Sequence, residues 1–199
     1  MTQTELTALL LFCTAVSFTP GPNTMLSTAL AANLGLRGAL HFVIAVPVGW
    51  GLLFSLCALG LGAVVAAAPA LQGGITWIGV GYMLWLAFKL SQSASLASTD
   101  SSRFSVTFWQ GVGLQFINIK AWMLALSIVA GFVAGRPQFA ERYTVVLVVM
   151  LAFATASNLA YAVAGSVLRY WLAQGQRLLW FNRLMALLLV LTAFWTARL

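Results

Sequence analysis

Two short polar clusters carry the chemistry open to this sequence. One is SFTPGPNTM at residues 17–25, the other QFINIK at residues 115–120. Both interrupt runs otherwise apolar enough to lie in lipid. In the first, Pro20 and Pro22 donate no backbone hydrogen bond, and each disfavours helix at the residue before it. Gly21 takes unusual dihedrals cheaply. Carbonyls near Ala15–Phe18 are therefore expected to lose their helical partners. A new helix is expected to begin at Asn23 or Thr24, both good N-cap types. The run before the break, Leu6 to Phe18, spans only ~20 Å as helix, against a hydrocarbon core ~30 Å thick. The break thus falls inside the membrane. A packing kink needs one proline, whereas Pro-Gly-Pro followed by Asn and Thr is more than a kink requires. Unwound backbone at that depth tends to line a cavity.

In the second cluster, Lys120 lies 13 residues after Thr107 and 14 before Ala134. Each end of the run is then ~20 Å away along a helix. An extended lysine reaches only ~6 Å, so it cannot snorkel to water. A lysine at mid-membrane costs ~3 kcal/mol or more, so it should face a cavity or a partner. Gln115 and Asn118, three apart, share a face if the helix is regular. Lys120 joins them only through a local irregularity or a bent stem. The plainer role for Lys120 is a structural cation on the carbonyls freed in the first cluster. Asn158 and Tyr161 form a weaker pair in SNLAYA, and Thr155 and Ser157 can bond back to their own helix. His41 opens an apolar run and reads as interfacial. Small-residue pairs such as Gly49/Gly51 and Gly79/Gly81 permit close helix packing.

The elements that position these clusters follow from composition. The 199 residues are 62% hydrophobic and 7% charged, with a mean hydropathy of +0.97; soluble domains average about 25% charged. This is an all-α integral membrane chain, forming one domain over 1–199. Apolar segments run approximately over 5–30, 39–66, 70–90, 107–134, 143–168 and 178–197. They predict six transmembrane helices, with the first and fourth interrupted. The polar loop 91–106 separates half-repeats of about 1–90 and 107–199. Three spans per half is the arithmetic of a 3+3 inverted repeat.

The net charge of +7 comes from 10 basic and 3 acidic residues. The basic residues flank apolar runs, where they set topology and touch lipid headgroups rather than nucleic acid. Arg37, Lys89, Arg103, Arg169 and Arg177 share one side, and Arg136, Arg142 and Arg198 the other. That bias puts both termini on the periplasmic side. The N-terminus carries Glu5 and no basic n-region, so it reads as the start of the first span rather than a signal peptide. Cys13 and Cys57 form no CxxC motif, and one histidine makes no metal cluster, so no metal or cofactor is expected. Paired carboxylates or a His/Asp set, which a membrane enzyme needs, are missing as well.

These residues resemble the LysE/RhtB family of bacterial amino-acid exporters. The resemblance rests on FTPGPNTM (18–25), ALAANLGLRGAL (29–40), WIGVGYMLWLAFKL (77–90) and FWQGVGLQFINIKAW (108–122), and it extends nearly end to end. Asn-aliphatic-Lys after Gln-Phe is similar to the branch that exports cysteine and O-acetylserine. The commonest family form at the second site is Asn-Pro-Lys. Here Ile119 replaces the proline, which leaves a helix break there open. The resemblance implies proton-driven export of a small amino acid across the inner membrane.

For such a zwitterion, the helix start near Asn23–Thr24 with Lys120 suits the carboxylate. Carbonyls freed near Phe18 and Thr19, with Asn118, Asn158 or Tyr161, suit the ammonium. The expected substrate-binding set is Thr19, Pro20, Gly21, Pro22, Asn23, Thr24, Gln115, Asn118, Lys120, Asn158 and Tyr161. Many relatives carry an acid in the fifth span, where this chain has only Ala, Thr, Ser and Asn near 154–158. Glu5, Asp100 and Glu141 fall at span ends or in loops, leaving His41 and Lys120 as proton carriers. The competing reading is an ion or metal exporter on the same scaffold, which would want intramembrane acids or thiolates. Small-residue faces allow a homodimer.

Overall fold

The computed structural model describes residues 1–93 and 104–198. Most of the polar loop 91–106, with Asp100 and Arg103, lies outside them. The described residues form helices only: α1 (Gln3–Ser17), α2 (Pro22–Ala58), α3 (Leu61–Ala66), α4 (Pro69–Ser91), α5 (Phe108–Ile117), α6 (Ile119–Ile128), α7 (Phe139–Leu172) and α8 (Arg177–Thr196). A π-helical turn, Val129–Val133, prolongs α6.

Local chemistry explains the ends. Thr2 and Glu5 close a capping box on α1: the Thr2 hydroxyl accepts the Glu5 N–H at 3.2 Å, and the Glu5 carboxylate accepts the Thr2 N–H at 2.8 Å. Pro22 opens α2 at its first position, where a missing N–H costs nothing. Within α2, Gly35 adopts φ 77°, ψ 169°, a conformation that favours glycine, and divides the helix into arms 22–34 and 36–58. This is where the turn LGLRG was expected. The second apolar run, expected to continue to residue 66, is broken at Gly60 and resumes as α3. α4 and α8 fall within a residue of their expected limits, and α7 extends beyond both of its own.

Four helices, α2, α4, α7 and α8, are long and apolar enough to cross a membrane by themselves. α5 and α6, bent by 67° at a single intervening residue, make a fifth crossing if taken together. α1, at 15 residues, covers ~22 Å and is too short alone.

The long arms of α2 pack on α7 and α5, α4 packs on α8, and α1 rests on α7. Gly49 lets α2 approach α5, since a Cβ there would lie 2.6 Å from the Val112 carbonyl oxygen. Gly165 does the same for α7 against the Thr28 carbonyl of α2. One apolar cluster gathers Leu26, Leu30, Phe42, Leu86, Leu114 and Leu189. A second gathers Leu9, Trp50, Phe54, Trp122, Ile128 and Met150. Both polar breaks lie where the two clusters meet.

At one end of the bundle, the buried guanidinium of Arg142 holds Glu5 with two bonds of 3.1 Å. The N-terminal amine reaches Glu141 at 3.1 Å. α1 is thereby clamped to the start of α7.

Candidate functional site

At the first break, α1 stops at Ser17 and α2 starts at Pro22, one or two residues before the expected start at Asn23 or Thr24. The N-cap is Gly21, which has no side-chain oxygen to offer, so the first-turn N–H groups of Asn23 and Thr24 stay uncapped. The Thr24 hydroxyl instead accepts the Gly21 N–H at 3.0 Å and donates to the Gly21 carbonyl at 3.1 Å.

The freed carbonyls divide into two groups. Ala15 accepts the Thr19 hydroxyl at 2.6 Å, Phe18 accepts the Tyr161 hydroxyl at 3.0 Å, and Thr19 accepts the Lys120 ammonium at 3.4 Å. Val16 and Ser17 remain. A regular helix would pair the Val16 carbonyl with the N–H of residue 20, which is proline. It would pair the Ser17 carbonyl with the N–H of Gly21, which has turned to Thr24.

The second break occurs without a proline. Asn118 is extended (φ −95°, ψ 101°) and caps α6 by accepting the Lys120 N–H on its side-chain oxygen at 3.2 Å. The Phe116 carbonyl, stranded at the end of α5, accepts the Trp122 indole N–H at 2.8 Å. The Ile117 carbonyl lies against Gly79, where a Cβ would collide with it. Because α5 ends before Asn118, Gln115 and Asn118 do not share the helical face expected of them. Lys120 reaches the site through the irregularity that its position required, and its ammonium lies 3.1 Å from where a Gly21 Cβ would stand.

Between the breaks is a cavity of about 70 Å³. Thr19, Gly21, Pro22, Asn23, Thr24, Asn118, Lys120 and Asn158 of the expected set line it. Pro20, Gln115 and Tyr161 do not. Gln115, fully buried, pairs with Asn23 through reciprocal amide bonds of 2.9 and 3.1 Å and also donates to the Gly111 carbonyl. The Asn158 oxygen accepts the Ser27 hydroxyl at 2.9 Å, and its nitrogen donates to the Ala154 carbonyl at 2.8 Å. The amide nitrogen of Asn118 has no acceptor among the described residues. His41 stands outside the cavity, with its Nε2 2.6 Å from the Val106 carbonyl oxygen. Lys120 is the ionisable side chain among the residues that line it.

Val16 and Ser17, within the stretch whose carbonyls were expected to be freed, also line the site, and so do Trp50, Met150 and Ser157, which the sequence did not assign to it. Trp50 and Met150 looked like ordinary lipid-compatible side chains. Val16 and Ser17 were signalled by Pro20, whose missing N–H strands the carbonyl four residues back. A separate buried network was also missed. Asn33 and Asn182 exchange amide bonds of 2.9 and 3.0 Å, Ser93 donates to Asn33 at 3.0 Å, and Asn182 donates to the Ser93 carbonyl at 2.8 Å. Asparagines within apolar runs were its visible trace.

Long apolar helices around two mid-bundle breaks and a small cavity with polar groups in its wall describe a multi-span membrane protein with an internal cavity. A family model described as LysE type translocator matches residues 14–198. The chain belongs to that family. It is 30% identical over 194 residues to a cysteine/O-acetylserine efflux protein of Klebsiella pneumoniae, covering 97% of both chains. It is 29% identical over 194 residues to the protein so named in Salmonella choleraesuis, and 28% over 193 residues to that of Escherichia coli K12, with 97% of each chain covered. No solved structure matches the chain.

Proposed function

We propose that this protein exports a small amino acid or amino-acid derivative, of the cysteine and O-acetylserine class, across the bacterial inner membrane. The observation that carries the reading is the pairing of opposite unsatisfied groups across one cavity. On one side are the uncapped first turn of α2, the Asn118 amide nitrogen and the Lys120 ammonium. All are donors, two of them reinforced by positive charge or helix dipole, and they suit a carboxylate. On the other side are the Val16 and Ser17 carbonyls, acceptors at the negative end of α1, which suit an ammonium. Gln115 and Tyr161 act in this reading by positioning: one holds Asn23, the other holds the Phe18 carbonyl.

The six-span plan is part of the proposal. α1 joins the first arm of α2 as one interrupted span, and the second arm with α3 makes the next. α4, the broken α5–α6 pair, α7 and α8 complete two halves of three. Each half then opens on a broken span, as an inverted repeat would have it. With an even number of spans both termini share a side, and the basic-residue bias favours the periplasm. Export coupled to inward proton movement is part of the same reading, with Lys120 the ionisable side chain among the described residues that line the cavity.

The test is efflux from inside-loaded cells or proteoliposomes. Labelled cysteine and O-acetylserine should leave faster from wild type than from Asn23→Ala or Lys120→Ala, and an uncoupler should slow them. Equal efflux from all three proteins would remove the site, and efflux indifferent to the uncoupler would remove the proton coupling.

A further inference from the structure

The short helix α1 forms part of the cavity wall through Val16 and Ser17. It rests on α7 and leaves Leu10 and Leu11 exposed. Residues 18–21, outside any helix, join it to α2. α1 and α7 start at the same end of the bundle and keep a constant register. Glu5 meets Arg142, and the Cys13 Sγ lies 3.0 Å from the Met150 Sδ, with 137 positions separating each pair. The same offset sets Leu9 against Val146, both fully buried in one apolar cluster. Met150 lines the cavity, and Arg142 stands in the first turn of α7, about 12 Å of helix away. The seam between α1 and α7 thus leads from the cavity to the end of the bundle that holds the N-terminus.

The outer end of that seam is closed by charge. Arg142, its side chain only 8% exposed, holds the Glu5 carboxylate in a fork and donates its Nε to the Pro137 carbonyl at 3.1 Å. Arg136 brings a second cation to 3.9 Å from Glu5. The capping box on α1 does not need this charge, since glutamine serves at that position as well as glutamate. The carboxylate charge therefore serves the contact with α7. A forked pair depends on alignment of both its bonds, so a small shift of α1 breaks it, which suits a helix with two discrete positions.

We infer that Glu5 and Arg142 are the latch of a gate. While the pair holds, the seam is shut; when it parts, α1 pivots at residues 18–21 and opens the cavity toward the end that holds the N-terminus. The inference rests on the proposed export function and gives the substrate its way out, since the proposed orientation makes that end periplasmic.

The first measurement needs no transport. Ser157→Cys, with Cys13 and Cys57 replaced by alanine, puts a reporter thiol on the cavity wall, and its modification by a charged thiol reagent is timed in purified protein. Adding Glu5→Gln keeps the cap, removes the charge and should speed modification about tenfold. Asn182→Leu, which weakens the fold elsewhere, should not. An unchanged rate with Glu5→Gln, or an equal rise with Asn182→Leu, overturns the inference and leaves the export function standing. The second measurement holds the gate shut and also decides the matter if Glu5→Gln does not fold. Leu9→Cys and Val146→Cys, in the same alanine background, are joined by a short cross-linker that a reductant cleaves. Efflux of labelled O-acetylserine should fall at least tenfold on cross-linking and return on reduction. Undiminished efflux from the cross-linked protein overturns the inference. If wild type exports nothing, the export function falls and the reagent rates alone decide the latch.

Discussion

Two groups of buried amides lie within this bundle, and they differ in how completely they are satisfied. Asn33, Asn182 and Ser93 bond to one another and to nearby carbonyls, tying the first arm of α2 to α4 and α8. Around the cavity the same chemistry is left incomplete. Asn23 and Gln115 satisfy each other, but among the described residues the Asn118 nitrogen, the Trp50 N–H, the first turn of α2 and the Val16 and Ser17 carbonyls do not find partners. Buried polar groups are costly when bare, so a complete network stabilises and an incomplete one awaits something. On the proposed function, that difference separates polar residues that hold the fold from polar residues that would meet the substrate.

The largest effect should come from the cation. Lys120→Met keeps the stem and removes the charge, and efflux should fall by roughly 10- to 100-fold, the worth of a charged hydrogen bond. Measured by melting in detergent, the protein should remain folded. Next comes the complete network. Asn182→Leu strands the amide of Asn33 and should cost about 1–3 kcal/mol of stability. Efflux per folded molecule should stay within about twofold of wild type, because the network holds the fold and not the ligand. If this variant lowered transport as much as Lys120→Met, the comparison would fail.

Tyr161→Phe frees the Phe18 carbonyl and loosens the first break. Its expected cost is about 1 kcal/mol, seen as a severalfold loss of efflux rate.

The smallest effect sharpens the account of the second break. Ile119→Pro restores the commonest family residue at the first position of α6, where no backbone donor is needed. Asn118 already has the extended backbone that a following proline prefers. Stability should be unchanged or rise by up to about 1 kcal/mol. A strongly destabilised protein would mean that α5 and α6 are continuous.

What could be read from the sequence depended on how locally each feature is determined. Pro20, Gly21 and Pro22 act on their own backbone, so the first break was legible, down to the stranded carbonyls before it. At the second, Asn118 could have been either a mid-helix amide or a cap. The break rests on Trp122 and Gly79 receiving the carbonyls of Phe116 and Ile117, which no short motif reveals. Partners far apart in the chain were also out of reach. Gln115 finds Asn23 from 92 residues away, and Ser27 finds Asn158 from 131. His41 finds the Val106 carbonyl from 65 residues away. Trp50 was hidden because an aromatic residue in an apolar run reads as packing.

The central claim is that the cavity between the breaks binds a zwitterion. It can be tested by placing a reporter thiol on the cavity wall, Ser157→Cys, with Cys13 and Cys57 replaced by alanine. Its modification by a small thiol reagent is then timed in protein active for efflux. O-acetylserine should slow the reaction, and its analogue lacking the carboxylate should not. Equal modification rates with and without O-acetylserine would contradict the account.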